Sequence, residues 1–159
     1  MKTNKERLRD FFARLDSLDY IKPEQIPNID LYMDQVTTFM EEHLQSSKDD
    51  KVLTKTMINN YAKNNLLPPP VKKKYSREHM LLLVFIYYFK NMLSFHDIEA
   101  LFAPITEGHF MDASGLSLQD IYEEVFSMEY EQMKRLKEDL LRKFHASEES
   151  FTDQKEDKD

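Results

Sequence analysis

The feature that most constrains this chain is the apolar block of residues 80–89, MLLLVFIYYF. A helix that is apolar on every side has to be buried on every side. At about 1.5 Å per residue the block spans roughly 15 Å, which is about half of a bilayer core. It therefore predicts the central helix of a soluble protein, over about 77–92, with no membrane segment and with the other segments packed around it.

The composition predicts a single, mostly helical domain. The chain has 159 residues and only two glycines, and a chain of this length can bury a core of its own. Because it has no cysteine, a disulfide framework, a thiolate metal site and a cysteine nucleophile are excluded. The polar N-terminus, MKTNKERLRDFF, lacks the apolar core of a signal peptide, so a cytoplasmic location is expected.

The charge is unevenly distributed along the chain. The whole sequence carries a net charge of −7, yet the segment from Lys51 to His79 has seven basic residues and one acid, Glu78. A basic stripe on an acidic body is the pattern expected where one surface meets a negatively charged partner. Adjacent lysines such as Lys72–Lys74 also occur in loops that are merely solvated, so the stripe does not decide the function by itself.

Helical spacing and capping residues divide the rest of the chain into further helices. Apolar residues three and four apart predict amphipathic helices over about 4–18 and 31–45. Asp30 is expected to cap the second of these helices. Thr54 is expected to cap a short helix over about 55–66.

The chain after this short helix carries its own stop and start signals. Asn65 tolerates the left-handed conformation that ends a helix, and the prolines at 68–70 force an extended exit. Serine caps are expected at the starts of three later helices, namely Ser76 for the central helix, Ser94 for a short helix, and Ser117 for a long helix to about His145.

These signals predict an all-α fold, a bundle around the central helix followed by a long C-terminal helix. Both glycines fall between residues 104 and 117, which marks a linker. The last fourteen residues contain six acids and little to bury, which predicts a disordered tail. The predicted division is a helical domain over 1–103, a linker over 104–117, a C-terminal helix over 118–145 and an acidic tail over 146–159.

Little in the sequence predicts catalysis. His96 and Glu99 form one ligand-like pair without a second pair, and Asp30 and Asp34 share a helix face as solvated carboxylates commonly do. A chain with two glycines offers no glycine-rich phosphate loop. We therefore expect no enzymatic activity, no cofactor and no metal.

The helix predicted at 55–66 has a polar side opposite its apolar one. Ile58, Tyr61 and Leu66 share the apolar side. The polar residues are also three and four apart, so they project together; they are Thr56, Asn59, Asn60 and Lys63. Packing does not require this set, although solvated side chains on a short helix would have the same pattern.

The run TKTMINNYAKNNLL, followed by prolines, a basic turn and Tyr75-Ser76, resembles the winged helix-turn-helix of MerR-type regulators. Ile58 and Tyr61 stand at core positions of that recognition helix, and Asn65 stands where glycine is usual. The resemblance covers about residues 52–103. It implies a DNA-binding helix-turn-helix within the 1–103 domain, followed by a basic wing and a hydrophobic helix.

The sequence departs from the MerR pattern at several points. Asn59 replaces a usual arginine, the wing VKKK is short and has no glycine, and the turn at about 46–53 is long. A longer stretch, about 28–103, resembles the YkrK-like family, a bacterial domain of unknown function. The segments that carry this resemblance are IDLYMDQV, TKTMINNYAKNNLLPPPVKKKYSREH and the hydrophobic helix.

The function expected from these features is that of a DNA-binding transcriptional regulator. Asparagine can bond an adenine through two hydrogen bonds, so the expected base-facing residues are Thr56, Asn59, Asn60 and Lys63. Basic side chains position a protein on phosphates; those expected here are Lys55, Lys72, Lys73, Lys74 and Arg77. The alternative is a helical protein–protein interaction module that has lost DNA binding, which the acidic body, the missing arginine and the short wing would suit.

The C-terminal helix carries two apolar stripes, which predicts a homodimer because one stripe would suffice for packing on the body. The expected dimerisation stripe is Tyr122, Phe126, Tyr130, Met133, Leu136, Leu140 and Phe144. A second stripe comprises Leu118, Ile121, Val125 and Met128. In the alternative arrangement, the N-terminal helix with Phe11 and Phe12 covers the second stripe within the same chain.

Overall fold

Helices make up most of the fold, as the sequence predicts. The computed structural model describes residues 2–16, 20–44, 52–108, 110 and 115–156. Within those ranges the helices are α1 (Asn4–Asp16), α2 (Met33–His43), α3 (Lys55–Lys63), α4 (Arg77–Phe89), α5 (Phe95–Gly108) and α6 (Leu118–Glu156). A 3₁₀ turn spans Pro23–Gln25, and β1 (Leu31–Tyr32) pairs antiparallel with β2 (Lys74–Tyr75).

The core is built around α4, which confirms the prediction made from the apolar block. Every residue from His79 to Tyr87 is buried. The Phe85 ring meets the ring of Phe102 from α5 at 5.7 Å and the ring of Tyr122 from α6 at 5.1 Å. A short helix without a polar side thus serves as the packing surface for its neighbours.

Side-chain caps start four of the helices where the sequence predicts them. The Thr54 and Ser76 hydroxyls accept from the backbone N–H groups of Met57 and His79. The hydroxyls of Ser94 and Ser117 accept in the same way at α5 and α6. These bonds satisfy N–H groups that the helix itself leaves free.

The cap predicted at Asp30 is wrong. The backbone of Leu31 and Tyr32 is committed to β1, where Leu31 lies opposite Tyr75. The helix therefore begins only at Met33, and the Tyr32 N–H donates to the side chain of Gln35 at 2.9 Å. A strand of two residues has no recognisable sequence pattern, so the sequence predicts the start of α2 two residues too early.

Two helices extend beyond their predicted ends. α5 continues to Gly108, inside the segment predicted as a linker, and it includes Pro104. The Thr106 hydroxyl donates to the carbonyls of Phe102 and Ala103 at 3.1 Å in this stretch. α6 continues to Glu156, through most of the predicted tail, because glutamate, lysine and glutamine favour helix even where nothing is buried.

The chain divides into two units. The larger one is Ile21–Glu123. In it the Tyr122 hydroxyl donates to the carbonyl of Ile21 at 2.6 Å, and the Arg77 guanidinium donates to the carbonyl of Pro23 at 2.6 Å. The segment before β1 is therefore tied to the starts of α4 and α6 by side chains that are far away in sequence.

The smaller unit comprises Met1–Tyr20 and Glu124–Asp159. α1 runs antiparallel to α6 in this unit, since Lys5 pairs with Glu148 at 3.8 Å and Lys137 pairs with Asp16. α1 has no buried residue. α1 therefore packs along α6 without burying any of its own side chains fully.

The predicted dimerisation stripe is partly wrong. Tyr122 and Phe126 are buried inside the chain, with exposures of 0% and 3%. Tyr122 packs against Phe85, and Phe126 stacks on Tyr20 at 4.8 Å. These two side chains stabilise the monomer and are not available to a partner.

None of the remaining stripe residues is fully buried. Tyr130 and Leu136 are 67% and 45% exposed, whereas Met133, Leu140 and Phe144 are half-buried. α1 lies along this stripe, since Lys137 and Glu148 are on the same side of α6 as the half-buried members. Met128, a member of the second stripe in the same unit, is 49% exposed, and the alternative in which the N-terminal helix covers the second stripe stays a prediction.

None of the helices in the described ranges combines the length and the apolar composition needed to cross a bilayer.

Candidate nucleic-acid interface

α3 is a short helix that is fixed firmly at both ends. Thr54 caps its start. At its end Asn65 has a φ of 61°, and the N–H groups of Asn65 and Leu66 donate to the carbonyls of Ala62 and Tyr61. This pair of bonds is a Schellman motif. Asn65 thus takes the left-handed conformation for which glycine is usual, as the sequence predicts.

The exposed side of α3 carries the predicted base-facing residues together. Ile58 and Tyr61 are buried on the opposite side, with exposures of 0% and 9%. All four polar residues are exposed, namely Thr56, Asn59, Asn60 and Lys63. Because the helix is capped at both ends and anchored by its buried side, these polar side chains project from a backbone that is fixed in place.

A two-residue hairpin follows α3 and its extended exit. Val71 and Lys74 exchange backbone hydrogen bonds, at 3.1 Å and 2.9 Å. Lys72 and Lys73 form the tip, with φ values of 50° and 64°. Positive φ at both central residues is the signature of a type I′ turn, which joins strands with the correct twist. We call residues 71–75 the wing hairpin.

The tip of the wing hairpin is strained. The type I′ turn favours Asn-Gly, since a side chain in the left-handed region costs about 1 kcal/mol or more at each position. Lys72 and Lys73 are both exposed, so burial of the side chains does not account for their presence at the tip. Strained positions of this kind cluster at functional sites.

Two open grooves flank the exposed side of α3. One, of about 270 Å³, is bordered by Asn59 of α3 and by Lys73 of the wing hairpin. The other, of about 470 Å³, is bordered by Asn60 and Lys63 of α3 and by Phe95 of α5. The polar side of α3 therefore lies between the wing hairpin and the start of α5.

The predicted phosphate-contacting residues are only partly brought together. Lys55, Lys72 and Lys73 are exposed. The Lys74 ammonium lies over the ring of Tyr32, 5.1 Å from its centroid. Arg77 is half-buried, donates to the Pro23 carbonyl and has a buried Nε without a hydrogen-bond partner. Arg77 therefore has a structural role, and the prediction that it contacts a phosphate is wrong.

His79, which is not among the residues predicted to be functional, fixes the wing hairpin to the core. The Ser76 N–H donates to Nδ1 of this buried histidine at 2.9 Å. Nδ1 must then be the acceptor, so Nε2 carries the hydrogen and donates to the Pro68 carbonyl at 3.0 Å. Burial lowers the pKa of His79, which keeps the ring neutral. The available signal was the serine-x-x-histidine spacing at a helix start.

No group of three or more His, Asp or Glu side chains that could hold a metal is found within the described ranges. His96 and Glu99 lie 3.7 Å apart on the surface. Both side chains are solvated to a large extent, with exposures of 89% and 42%. The pair is an ordinary contact within the first turn of a helix.

Comparison with known proteins gives one match. The family described as a domain of unknown function, DUF1836, matches residues 21–125, which include α2 to α5 and the wing hairpin. No curated protein and no solved structure is similar enough to match the chain.

Proposed function

This chain belongs to the DUF1836 family of domains of unknown function, and we propose that it is a cytoplasmic, homodimeric DNA-binding protein that regulates transcription. The observation that carries the proposal is the polar side of α3 beside a strained hairpin tip made of two lysines. A family without a known activity supplies no function of its own, so the proposal depends on this geometry.

The order of elements supports a winged helix-turn-helix of the MerR type. A short strand precedes α2, and α2 contacts α3. The wing hairpin follows α3, and its second strand pairs back onto β1. In such a motif the second helix enters the major groove. The sequence resemblances to MerR-type regulators and to the YkrK-like family are consistent with this proposal.

The chemistry of the two surfaces suits two kinds of contact. Asn59 and Asn60 present amides that can bond an adenine through its N6 and N7 atoms. Lys55, Lys72 and Lys73 present exposed ammonium groups, which would bind phosphates without reading the sequence. If α3 lay in the major groove, the amides at its centre would face the base edges and the lysines at its margin would face the phosphates.

A second candidate function is a protein–protein interaction module that has lost DNA binding. Two of the predicted basic contacts favour it, since Lys74 and Arg77 are engaged within the chain. The net charge of −7 also weakens any unspecific attraction to DNA. The three exposed lysines and the strained tip favour the DNA-binding function over this alternative.

The proposal is tested by comparing Asn60→Ala with Lys73→Ala on a duplex selected for binding and on a scrambled duplex. Loss of the lysine should weaken both duplexes alike and reduce the salt slope by about one unit. Loss of the asparagine should cost about 1–3 kcal/mol on the selected duplex and little on the scrambled one. Fluorescence titration at two salt concentrations measures both effects.

Matched controls separate contact from general damage. Lys134→Ala removes an exposed lysine from α6, and Asn28→Ala removes an exposed asparagine before β1. Both controls should bind as the wild type does. If no duplex is bound by any of the proteins, the interaction-module alternative remains and the DNA-binding proposal is lost.

A further inference from the structure

The groove between α3 and α5 is lined by both apolar and polar residues. Met57 and Phe95 line it together with Asn60 and Lys63. Its volume is about 470 Å³, and it opens to solvent beside the predicted base-facing residues. An amide next to an apolar surface can bind a ligand that offers hydrogen-bonding atoms and a methyl group side by side.

Phe95 is an exposed aromatic residue that is nevertheless held in place. It is the first residue of α5 and is 40% exposed. Its ring stacks on that of Tyr61, with 6.4 Å between centroids and 24° between planes. Because Tyr61 is buried in the core, its ring provides a fixed support for Phe95. A side chain that is already fixed loses little conformational entropy when it binds.

An A·T base pair offers the matching chemistry in the major groove. Adenine presents N6 and N7, which an asparagine amide can bond, and thymine presents a C5-methyl group, which an aromatic ring can contact. Asn60 and Phe95 line the same groove. No other base pair presents a methyl group in the major groove, so the ring of Phe95 would distinguish thymine from cytosine.

This inference rests on the proposed function: we infer that Phe95, supported by Tyr61, is a specificity-determining residue that contacts the methyl group of a thymine next to the adenine bound by Asn60. The contact would add an apolar element to a surface that otherwise reads DNA by hydrogen bonds and charge. It also accounts for an aromatic side chain left exposed beside α3.

The test replaces each thymine of a selected duplex in turn with deoxyuracil, which lacks only the methyl group. For the wild-type protein, deoxyuracil at one of these positions should weaken binding about fourfold. This ratio of the affinities for the thymine and the deoxyuracil duplex is the one expected for one methyl group that is buried in the complex. Phe95→Ser should abolish this ratio, and Phe95→Leu, which keeps an apolar side chain, should retain part of it. Leu101→Ser is the matched control, because Leu101 is 48% exposed on α5 and does not line the groove.

The outcomes separate this inference from the proposed function. If the wild-type protein binds the selected duplex and every deoxyuracil substitution leaves the affinity unchanged, the methyl contact is wrong while DNA binding stands. If Phe95→Ser keeps the wild-type ratio, another residue makes the contact and the inference also fails. If the wild-type protein binds no duplex, both the methyl contact and the proposed DNA binding are wrong. Because the thymine comparison uses the unaltered protein, it does not depend on whether a variant folds.

Discussion

His79 is the residue that joins the exit of α3 to the start of α4. It accepts from Ser76 and donates to Pro68, and its ring meets those of Tyr75 and Phe110 edge-on. A proton on Nδ1 would face the Ser76 N–H, so the charged form cannot keep both hydrogen bonds. The position of the wing hairpin therefore depends on a neutral histidine.

This arrangement predicts a loss of stability in mild acid. Burial lowers the pKa of His79 from its ordinary value of 6.5, so below that pH the unfolded chain takes up a proton that the folded chain does not. The free energy of unfolding should be unaffected by His79 above about pH 6.5. It should fall as the pH decreases below that value, by at most about 1.4 kcal/mol per pH unit.

Urea denaturation between pH 5 and pH 8 measures this effect. His79→Gln has an amide in place of the ring and does not titrate, so its stability should depend less on pH in the acid part of the range. The other histidines and the carboxylates titrate in both proteins. If the two stability curves run parallel from pH 8 to pH 5, His79 is not the source of the pH dependence.

Single residues were predictable where a local bond fixes them. The caps at Thr54, Ser76, Ser94 and Ser117 and the left-handed Asn65 follow from chemistry within a few residues. Partners far away in sequence were not predictable. Arg77 bonds Pro23, and Tyr122 bonds Ile21, and no pattern in the sequence indicates either pairing.

At the scale of elements, the wing hairpin carries the clearest sign of function. The resemblance to MerR-type regulators implies a basic wing here, and the structure adds that Lys72 and Lys73 are both left-handed. That conformation could not be predicted, because the run Lys72–Lys74 favours no turn type. The register is set instead by the pairing of β2 with β1 and by the bridge from Val71 to Lys74.

The strained tip predicts opposite effects on stability and on DNA binding. Replacing the tip by Lys72→Asn and Lys73→Gly should raise the free energy of unfolding by about 1–2 kcal/mol, because Asn-Gly suits a type I′ turn. The same variant should bind DNA more weakly, and its salt slope should fall by about one unit for each lysine lost. Thermal unfolding and duplex titration measure the two effects.

Glutamine at both positions is the matched control. Lys72→Gln with Lys73→Gln removes the charges and keeps the left-handed side chains, so binding should weaken without a gain in stability. An Asn-Gly variant that binds as tightly as the wild type would show that the wing lysines do not contact phosphates.

At the scale of the whole molecule, the proposed function gives the two units different roles. The larger unit holds α3 and the wing hairpin. The smaller unit pairs α1 with α6 and leaves Phe11, Tyr130, Leu136 and Leu141 each at least 40% exposed. Apolar residues left open on a two-helix unit are those that a second copy would bury, as DNA half-sites related by a two-fold axis would require.

The sequence predicted an association stripe and could not show which of its members remain available. Tyr122 and Phe126 have the same spacing as Tyr130, yet they are buried within the chain, where they contact Phe85 and Tyr20. The helical fold followed from the apolar block, since a helix without a polar side has one stable environment. An amphipathic helix, by contrast, can bury its apolar stripe against the same chain or against a second copy, and its sequence does not distinguish the two.

A homodimer built on the smaller unit predicts a mass near twice the 19.1 kDa of the chain. Replacing Tyr130 and Leu136 by glutamate should give a folded monomer, because each charge would be buried without a partner in the interface. Met92→Glu is the control, since Met92 is 70% exposed in the larger unit and should not affect association. Light scattering at tens of micromolar protein measures the molar mass of each variant. A wild-type protein with the mass of a single chain would contradict the dimer.

The central claim is that α3 and the wing hairpin bind duplex DNA. It is tested most directly by selecting bound duplexes from a random pool with the wild-type protein and titrating the recovered sequence at increasing salt. We predict enrichment of a defined site. We also expect the logarithm of the binding constant to fall linearly with the logarithm of the salt concentration, with a slope of about −5 for six lysine–phosphate contacts per dimer. A recovered pool no different from the starting pool, with no salt-dependent binding, would contradict the claim.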